Sequence, residues 1–469
     1  MKGKNYLYII AGLLVSGSLG SCASSDPDFD ISGGGYEDRE VLSVGASIAA
    51  AKAPSGNEAD ESSADYLTTL LESTKFPEGS VIFISQLGQD KSPVFPITYD
   101  DATENFYAYQ YNGNEDATWE QGYNFTLAPN SAPIDWDKIM KVGSVGNAFN
   151  LYSLYFPGGS VKNNGNVSMV VNDNTPNVYA VTEWQNSRTI EQMKNYDVMG
   201  AYHATSSAYT RLNFRFFHLM VYVRVTLYVP VYDPEDGTGF TESAFGYSRF
   251  TTSQNVRNLV PCVALGGSQE HGQFRNLSRF WTIDYSANRS SDREGPLVMT
   301  LEPDANGPYG NSLANFYMHP HGIGDSHDAY FEEMTLENVR EFYPASPTET
   351  ERVRKYEFSA IIPPQKDLTG ELMFFHLKKP GVGADIPPEN LTVEQLKNYY
   401  FSARQLVSGD NDVSFTQGTM NHIELFIPRK ANNVVKVKAT ILPWTETFTD
   451  MTLVDEDNLP DDTDNQPEE

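Results

Sequence analysis

The side chains best equipped for chemistry lie in Met318–Asp328, MHPHGIGDSHD. There His319, His321, His327, Asp325 and Asp328 gather three imidazoles and two carboxylates in one short run. Such a set could ligate zinc or copper. Two histidines one residue apart, followed by a glycine-rich loop, do not form a standard zinc spacing, and the run ends a strand-like segment where polar loops are common. His319, His321 and His327 are the metal candidates, and loop histidines without a metal are the preferred reading. Asp26, Asp28, Asp30 and Glu37 stand at positions 1, 3, 5 and 12 of a calcium loop, but Ile31 occupies the position that needs glycine. An acidic tether fits that segment better. His218 sits inside a strand pattern and reads as a hydrogen-bonded histidine at a core edge. Cys262, beside Pro261 in an apolar run, reads as a buried thiol.

No P-loop, dinucleotide fingerprint, HExxH or GxSxG sequence occurs. With 62 acidic residues, a carboxylate pair for glycoside hydrolysis cannot be picked out without geometry. The chain is therefore read as a non-enzyme with no cofactor. Its formal charge of −29 repels phosphate backbones and anionic membrane surfaces, so nucleic acid is not an expected partner.

The most specific motif is at the start. Lys2 and Lys4 precede the apolar run Tyr6–Val15, which is too short to span a bilayer, and small residues lead to Leu19-Gly20-Ser21-Cys22. These features resemble a bacterial lipoprotein signal peptide over residues 1–21, with Cys22 as the lipidated first residue of the mature chain. Several acyl chains on one residue anchor stably where one does not. Residues 22–40 form the acidic flexible tether. With Cys22 acylated, Cys262 has no cysteine partner in the chain, so burial and not disulfides must stabilise the core.

The elements that would position any site are strands. The clearest lies within Tyr196–Val229. There Val221, Val223, Val225, Leu227 and Val229 alternate with Tyr222, Arg224, Thr226 and Tyr228, the period of two of a strand with one face in a core. Leu212, Phe214 and Phe216 extend the pattern upstream, so strand character begins near Thr210. Val41–Ile48 alternates through Leu42, Val44, Ala46 and Ile48. Strands are also expected at Val81–Ile84, Phe106–Tyr111, Tyr123–Leu127, Leu151–Phe156, Leu259–Leu265, Phe280–Tyr285, Leu297–Leu301, Phe316–His319, Glu357–Ile362 and Glu371–Leu377. Two clean alternations close the series: Ile423, Leu425, Ile427, then Val435, Val437, Ala439, Ile441. Short helices are expected at Ala64–Leu71, Glu191–Asn195 and Thr392–Tyr400, the last two with capping boxes. From Asp455 the chain carries eight acids and no base and reads as a disordered tail. Many short strands and scarce helix give an all-β sandwich class.

Several pieces, in order, resemble the fimbrillin family, the lipoprotein pilins and pilin-like adhesins of donor-strand (Type V) pili. They are the lipobox and acidic tether, the first strand, Leu151-Tyr152-Ser153-Leu154-Tyr155-Phe156-Pro157, Asp197-Val198-Met199-Gly200-Ala201-Tyr202, Phe216-Phe217-His218-Leu219, Phe316-Tyr317-Met318-His319-Pro320, and Val435–Trp444. The resemblance implies two transthyretin-like β-sandwich domains in tandem, placed here at 41–205 and 206–454, with an acidic tail at 455–469. It also implies that a protease removes the first strand and that a neighbouring subunit's strand fills the groove. By that resemblance Leu42, Val44, Ala46 and Ile48 belong to the removable strand. Ile423, Leu425, Ile427, Val435, Val437, Ala439 and Ile441 are the donor candidates. The family's arginine after the first strand is replaced by Lys52, and Arg39 precedes the strand, so Arg39 and Lys52 are the candidate cleavage sites and anchor, stalk and tip roles stay open. The expected partners are other pilin-like subunits, the outer membrane through the lipid on Cys22, and a surface receptor, protein or glycan. The expected location is the cell outer membrane and fimbrium. Five Trp and 27 Tyr motivate the alternative, a glycan-binding surface lipoprotein of β-sandwich type, and the histidine cluster motivates a third, a metal-dependent β-sandwich hydrolase.

Overall fold

The computed structural model describes residues 40–41, 43–48, 76–86, 107–116, 122–129, 131–136, 139, 149–157, 167–170, 178–181, 183–185, 193, 195–205, 211–235, 237–240, 245–246, 263–267, 277–284, 294–295, 297–301, 313–321, 330–334, 351–365, 368, 371–379, 382, 393–402, 415–429 and 435–443. Nearly all of these are strand, as the alternating patterns require.

The first sheet is built from β1 (Ser43–Ile48), β2 (Val81–Gln86), β3 (Tyr107–Asp116), β4 (Gly122–Leu127), β5 (Phe149–Tyr155), β6 (Met199–Thr205) and β7 (Arg211–His218). Their order is β7-β1-β4-β3-β2-β5-β6, and the pairing of β6 with β7 through Met199↔His218 and Gly200↔Phe217 closes them into a ring. Closure removes the free edges that an open sheet would present. The interior holds Val44, Ala46, Ile82, Ile84, Tyr109, Phe125, Leu151, Tyr155, Leu212, Phe214 and Phe216, all buried. The alternate residues of β2, β5 and β6, including Phe83, Tyr152, Leu154 and Tyr202, are buried in a second core shared with the rest of the molecule. Gly200 marks the closest approach there: a Cβ would lie 2.8 Å from Leu297 Cδ1 and 3.0 Å from Leu219 Cδ1.

The second sheet contains β8 (Val221–Pro230), β9 (His319–His321), β10 (Tyr330–Met334), β11 (Glu351–Ile362), β12 (Thr419–Phe426) and β13 (Lys436–Pro443). Its order is β9-β11-β8-β12-β13, with β10 also pairing β11. The valine face of β8 is core, as its alternation predicts: Val221, Val223, Val225, Leu227 and Val229 are fully buried. Two expectations about this region are corrected. The strand read as continuous from Thr210 to Val229 is two strands in different sheets, because the chain changes sheets at Leu219–Met220. There Leu219 N–H donates to Val198 O and Gly418 N–H donates to Met220 O, so fixed partners make the switch without a glycine or proline to announce it. The opposite face of β8 is also not a solvent face: Tyr222 and Thr226 are buried at 1% and 0% exposure.

The helix expected over Thr392–Tyr400 is corrected as well. Only Val393–Gln395 is helical, as a 3-10 turn, and Leu396–Ser402 is a strand antiparallel to Glu371–Lys378. Cross-strand aromatic stacking decides it, with Phe375 centred 5.1 Å from Tyr399 and 5.9 Å from Phe401. Such pairs outweigh a capping box whose helical gain is local. The Ala64–Leu71 helix lies outside the described residues, and of Glu191–Asn195 only Met193, helical and buried, and Asn195 lie within them.

Candidate strand-addition site

The chain enters the ring through Glu40–Val41, which pairs with Ile134–Asp135. β1 then runs parallel to β7 and antiparallel to β4. Two of its inward residues have named neighbours on both sides and the third on one. Val44 lies between Phe125 and Leu212, Ala46 between Tyr123 and Phe214, and Ile48 beside Phe216. Val44 and Ala46 are completely buried, and Ile48 is partly so. Ala46, fully buried, has an aromatic residue as its cross-strand partner on each side. Outward, a Cβ on Gly45 would run into Asn213 Oδ1 and come within 3.0 Å of Arg211 Nη2, so the polar side chains of β7 lie across the strand.

Phe76 fills the ring next to β1. Its ring makes edge-on contacts with Tyr123, Phe125, Tyr155 and Phe216 at centroid distances of 5.1, 5.3, 5.0 and 5.4 Å, the geometry that the aromatic quadrupole favours. The following turn is fixed by Gly79, whose φ is 87° and whose N–H donates to Tyr111 O. Where β6 meets β7 the ring is pinned by a buried pair, His218 Nδ1 to Asp197 Oδ1 at 2.8 Å. This joins two of the quoted motif segments, and His218 is the hydrogen-bonded histidine its position suggested. Burial pushes the nearby Tyr155 phenol up to about 12, with the Ser80 hydroxyl opposing and the Asp197 charge adding.

The donor candidates occupy unequal places. β12 is enclosed between β8, to which it is parallel, and β13, and Ile423, Leu425 and Ile427 are fully buried. β13 ends the sheet and, among the described strands, pairs with β12 alone. Ala439 is buried, whereas Val435, Val437 and Ile441 are half-buried.

The second face of this sheet carries a polar network that alternation alone assigned to solvent. Arg224 Nη2 donates to Glu357 Oε1 at 2.7 Å, with Lys355 Nζ 3.3 Å from the same oxygen. Thr226 Oγ1 and His422 Nε2 are 2.9 Å apart, and the Tyr228 hydroxyl donates to Glu424 at 3.1 Å. Lys438 Nζ lies 3.5 Å from Glu424 Oε2. Burial pushes the His422 imidazole down to about 4; Glu424 and Glu357 oppose that shift, and Arg224 and Lys355 add to it.

Of the metal candidates, His319 and His321 lie on β9 opposite Ser359 and Glu357, and His327 lies outside the described residues. Among the described residues no group of three His, Cys, Asp or Glu side chains is placed to hold a metal ion. Cys22, Arg39, Leu42, Lys52, Cys262 and the tail from Asp455 also lie outside the described residues. Sequence reading passed over Phe76 and Gln185. The Gln185 amide acts as a strand partner for Ile361, donating to its carbonyl at 2.8 Å and accepting its N–H at 2.9 Å. Neither has a local signal beyond the Phe76-Pro77-Glu78-Gly79 turn. It also passed over Trp184, 36% exposed and stacked on Tyr317 with centroids 4.2 Å apart and planes 1° from parallel.

No family model matches the chain, and no curated protein matches it either. Solved structures do. A candidate cell adhesion protein from Bacteroides uniformis ATCC 8492 shares 14% identity at a TM-score of 0.39, over 80% of this chain and 95% of that one. A fimbrial protein from Bacteroides vulgatus ATCC 8482 shares 10% at 0.35, over 86% and 99%. The fimbrial anchor protein Mfa2 from Porphyromonas gingivalis shares 9% at 0.31, over 86% and 97%.

Proposed function

We propose that this chain is a non-enzymatic, lipid-anchored surface protein that serves as a fimbrial subunit, anchor or tip adhesin and assembles by β-strand addition. The observation that carries this reading is the seat of β1. One six-residue strand, hydrogen-bonded on both sides, covers the ring interior at Phe125, Leu212 and Phe214. Taking it away would leave two unpaired strand edges and an open apolar interior, and another alternating strand would satisfy both. In this reading Cys22 bears the lipid, residues 22–40 are the tether, and Arg39 or Lys52 is where a protease frees the strand. Two transthyretin-like domains follow the tether, expected at 41–205 and 206–454; the pairing of β7 (Arg211–His218) with β1 and β6 puts that strand with the first of them. The partners are other pilin-like subunits and a surface receptor, at the outer membrane and in the fimbrium. Treatment with a trypsin-like protease is expected to give a ladder of multimers. Persistent monomer after proven loss of the first strand would overturn the assembly role.

A second reading, glycan binding at the surface, is favoured by one observation: the exposed Trp184 ring backed by Tyr317. Flat, exposed indole faces suit the apolar faces of sugar rings. Hits on a glycan array that vanish in Trp184→Ala would support it, and an array without hits removes it.

A further inference from the structure

β1 has an outer face as well as an inner one. Val44 and Ala46 point into the core, yet Gly45, which points the other way, is buried too. A glycine has no side chain of its own, so groups from neighbouring strands must lie over it. Asn213 is the partner of Gly45 on β7. A Cβ at 45 would run into Asn213 Oδ1 and come within 3.3 Å of Asn213 Cγ and 3.0 Å of Arg211 Nη2. Arg211 Nε donates to the same Asn213 oxygen at 3.4 Å. From the other side Gly45 is partnered by Asn124 of β4, whose Oδ1 is also buried. We propose that Asn213 and Arg211 form a strap across the first strand, which holds β1 in the ring after the flanking chain is cut and sets the rate at which it leaves. The strap rests on the strand-addition reading above and regulates that same site.

The direction of exit gives the strap its effect. Behind β1 the ring is filled by Phe76, Phe125, Leu212 and Phe214, so a freed β1 departs through the outer face, where the two side chains lie. Arg211 and Asn213 are two residues apart on one strand and share a face, and the hydrogen bond between them makes them swing aside together. The glycine is what lets the strap close. Gly45 does not adopt a positive φ, so no backbone conformation calls for it, and inside a strand glycine is a weak choice. Close approach explains it: the ends of flexible side chains occupy the space that a side chain at 45 would take. Arg215, next on the same face of β7, leans over Phe217 instead, 5.6 Å from its ring centroid. The strap is therefore confined to the half of β1 that holds Ser43 and Gly45, the partners of Arg211 and Asn213. A cut at Lys52 loosens the strand from its Ile48 end, and peeling halts where the strap begins.

The test uses the full mature chain with a specific protease sequence in place of residues 49–54 and a fluorophore on the N-terminal side of that sequence. After complete cutting, excess unlabelled peptide of residues 40–52 blocks rebinding, and loss of label from the body of the protein gives the departure rate. Asn213→Ala is expected to speed departure about tenfold, the effect of one hydrogen-bonded contact on a rate. Asn213→Asp keeps the acceptor oxygen for Arg211 and should stay within about twofold of the parent. Gly45→Ala separates a strap from ordinary strand stability. Strand preference alone predicts slower departure, whereas a displaced strap predicts departure faster by at least about threefold. In an Asn213→Ala background the same Gly45→Ala change should slow departure, because the new methyl has no strap to displace. Urea melts of the uncut chains check that each variant is folded; should Gly45→Ala fail to fold, the Asn213→Ala and Asn213→Asp pair decides. Equal rates for the parent and Asn213→Ala, or slower departure of Gly45→Ala in the otherwise unchanged chain, would overturn the strap and leave strand addition standing. A label that never leaves any variant after verified cutting would overturn strand addition itself, and the strap with it.

Discussion

β1 and β13 carry the same inward pattern and are held differently. β1 is enclosed by β4 and β7 inside a closed ring, with Val44 and Ala46 fully buried. β13 borders its sheet, with β12 its one partner among the described strands and Val437 half-buried. Two strands that a hydrophobicity plot cannot tell apart therefore make unequal contributions. Alternation decides which side chains face inward. The number of neighbouring strands decides how much apolar surface and how many backbone groups are satisfied by facing there.

The comparison can be broken first at the ring. Phe76→Ala removes the ring-filling aromatic beside β1 and is expected to destabilise the chain by about 3–5 kcal/mol in urea melts. A loss under about 1 kcal/mol would show that β1 is not held by the interior described. The β13 side of the molecule has its own signature in His422, whose pKa is depressed to about 4. A histidine depressed in the folded state binds its proton more readily when unfolded. Stability is therefore complete above the unfolded value near 6.5 and falls as pH drops toward 4. Removing the imidazole with His422→Asn should flatten this fall by about 2–3 kcal/mol relative to the parent chain. Parallel pH curves for the two proteins would refute it.

The most direct contrast is one substitution made twice. Val44→Ala should cost about 2–3 kcal/mol and Val437→Ala about 1 kcal/mol, because only the first empties a closed site. Equal losses by chemical denaturation would erase the distinction between the strands. The smallest expected effect is Lys438→Met. Its ammonium, with a side chain 58% exposed, sits 3.5 Å from Glu424. Exposed pairs of this kind contribute little, so the melting curve should barely move; a large shift would mean that β13 is pinned by charge.

The all-β class and most strand positions were legible in the chain because a period of two with β-branched and aromatic residues is a local property. The legibility failed where long-range partners decided. Leu396–Ser402 carries a capping box at its start and still pairs as a strand, since Tyr399 and Phe401 stack on Phe375. The run from Thr210 to Val229 has one uninterrupted pattern, yet Leu219–Met220 divides it between two sheets through bonds to Val198 and Gly418. Arg224, Thr226 and Tyr228 read as a wet face, but Glu357, His422 and Glu424 reach them from strands more than a hundred residues away.

The candidate site divides along the same line. The sequence by itself determined that Val44, Ala46 and Ile48 share one face of a strand and that Val437, Ala439 and Ile441 repeat it, because side-chain direction along a strand depends only on position parity. Only the tertiary structure decided that Ala46 is buried with Tyr123 and Phe214 as its strand partners, that Phe76 fills the ring beside it, and that β1 is enclosed while β13 is an edge. Those are facts about neighbours distant in the chain, and no local pattern encodes them.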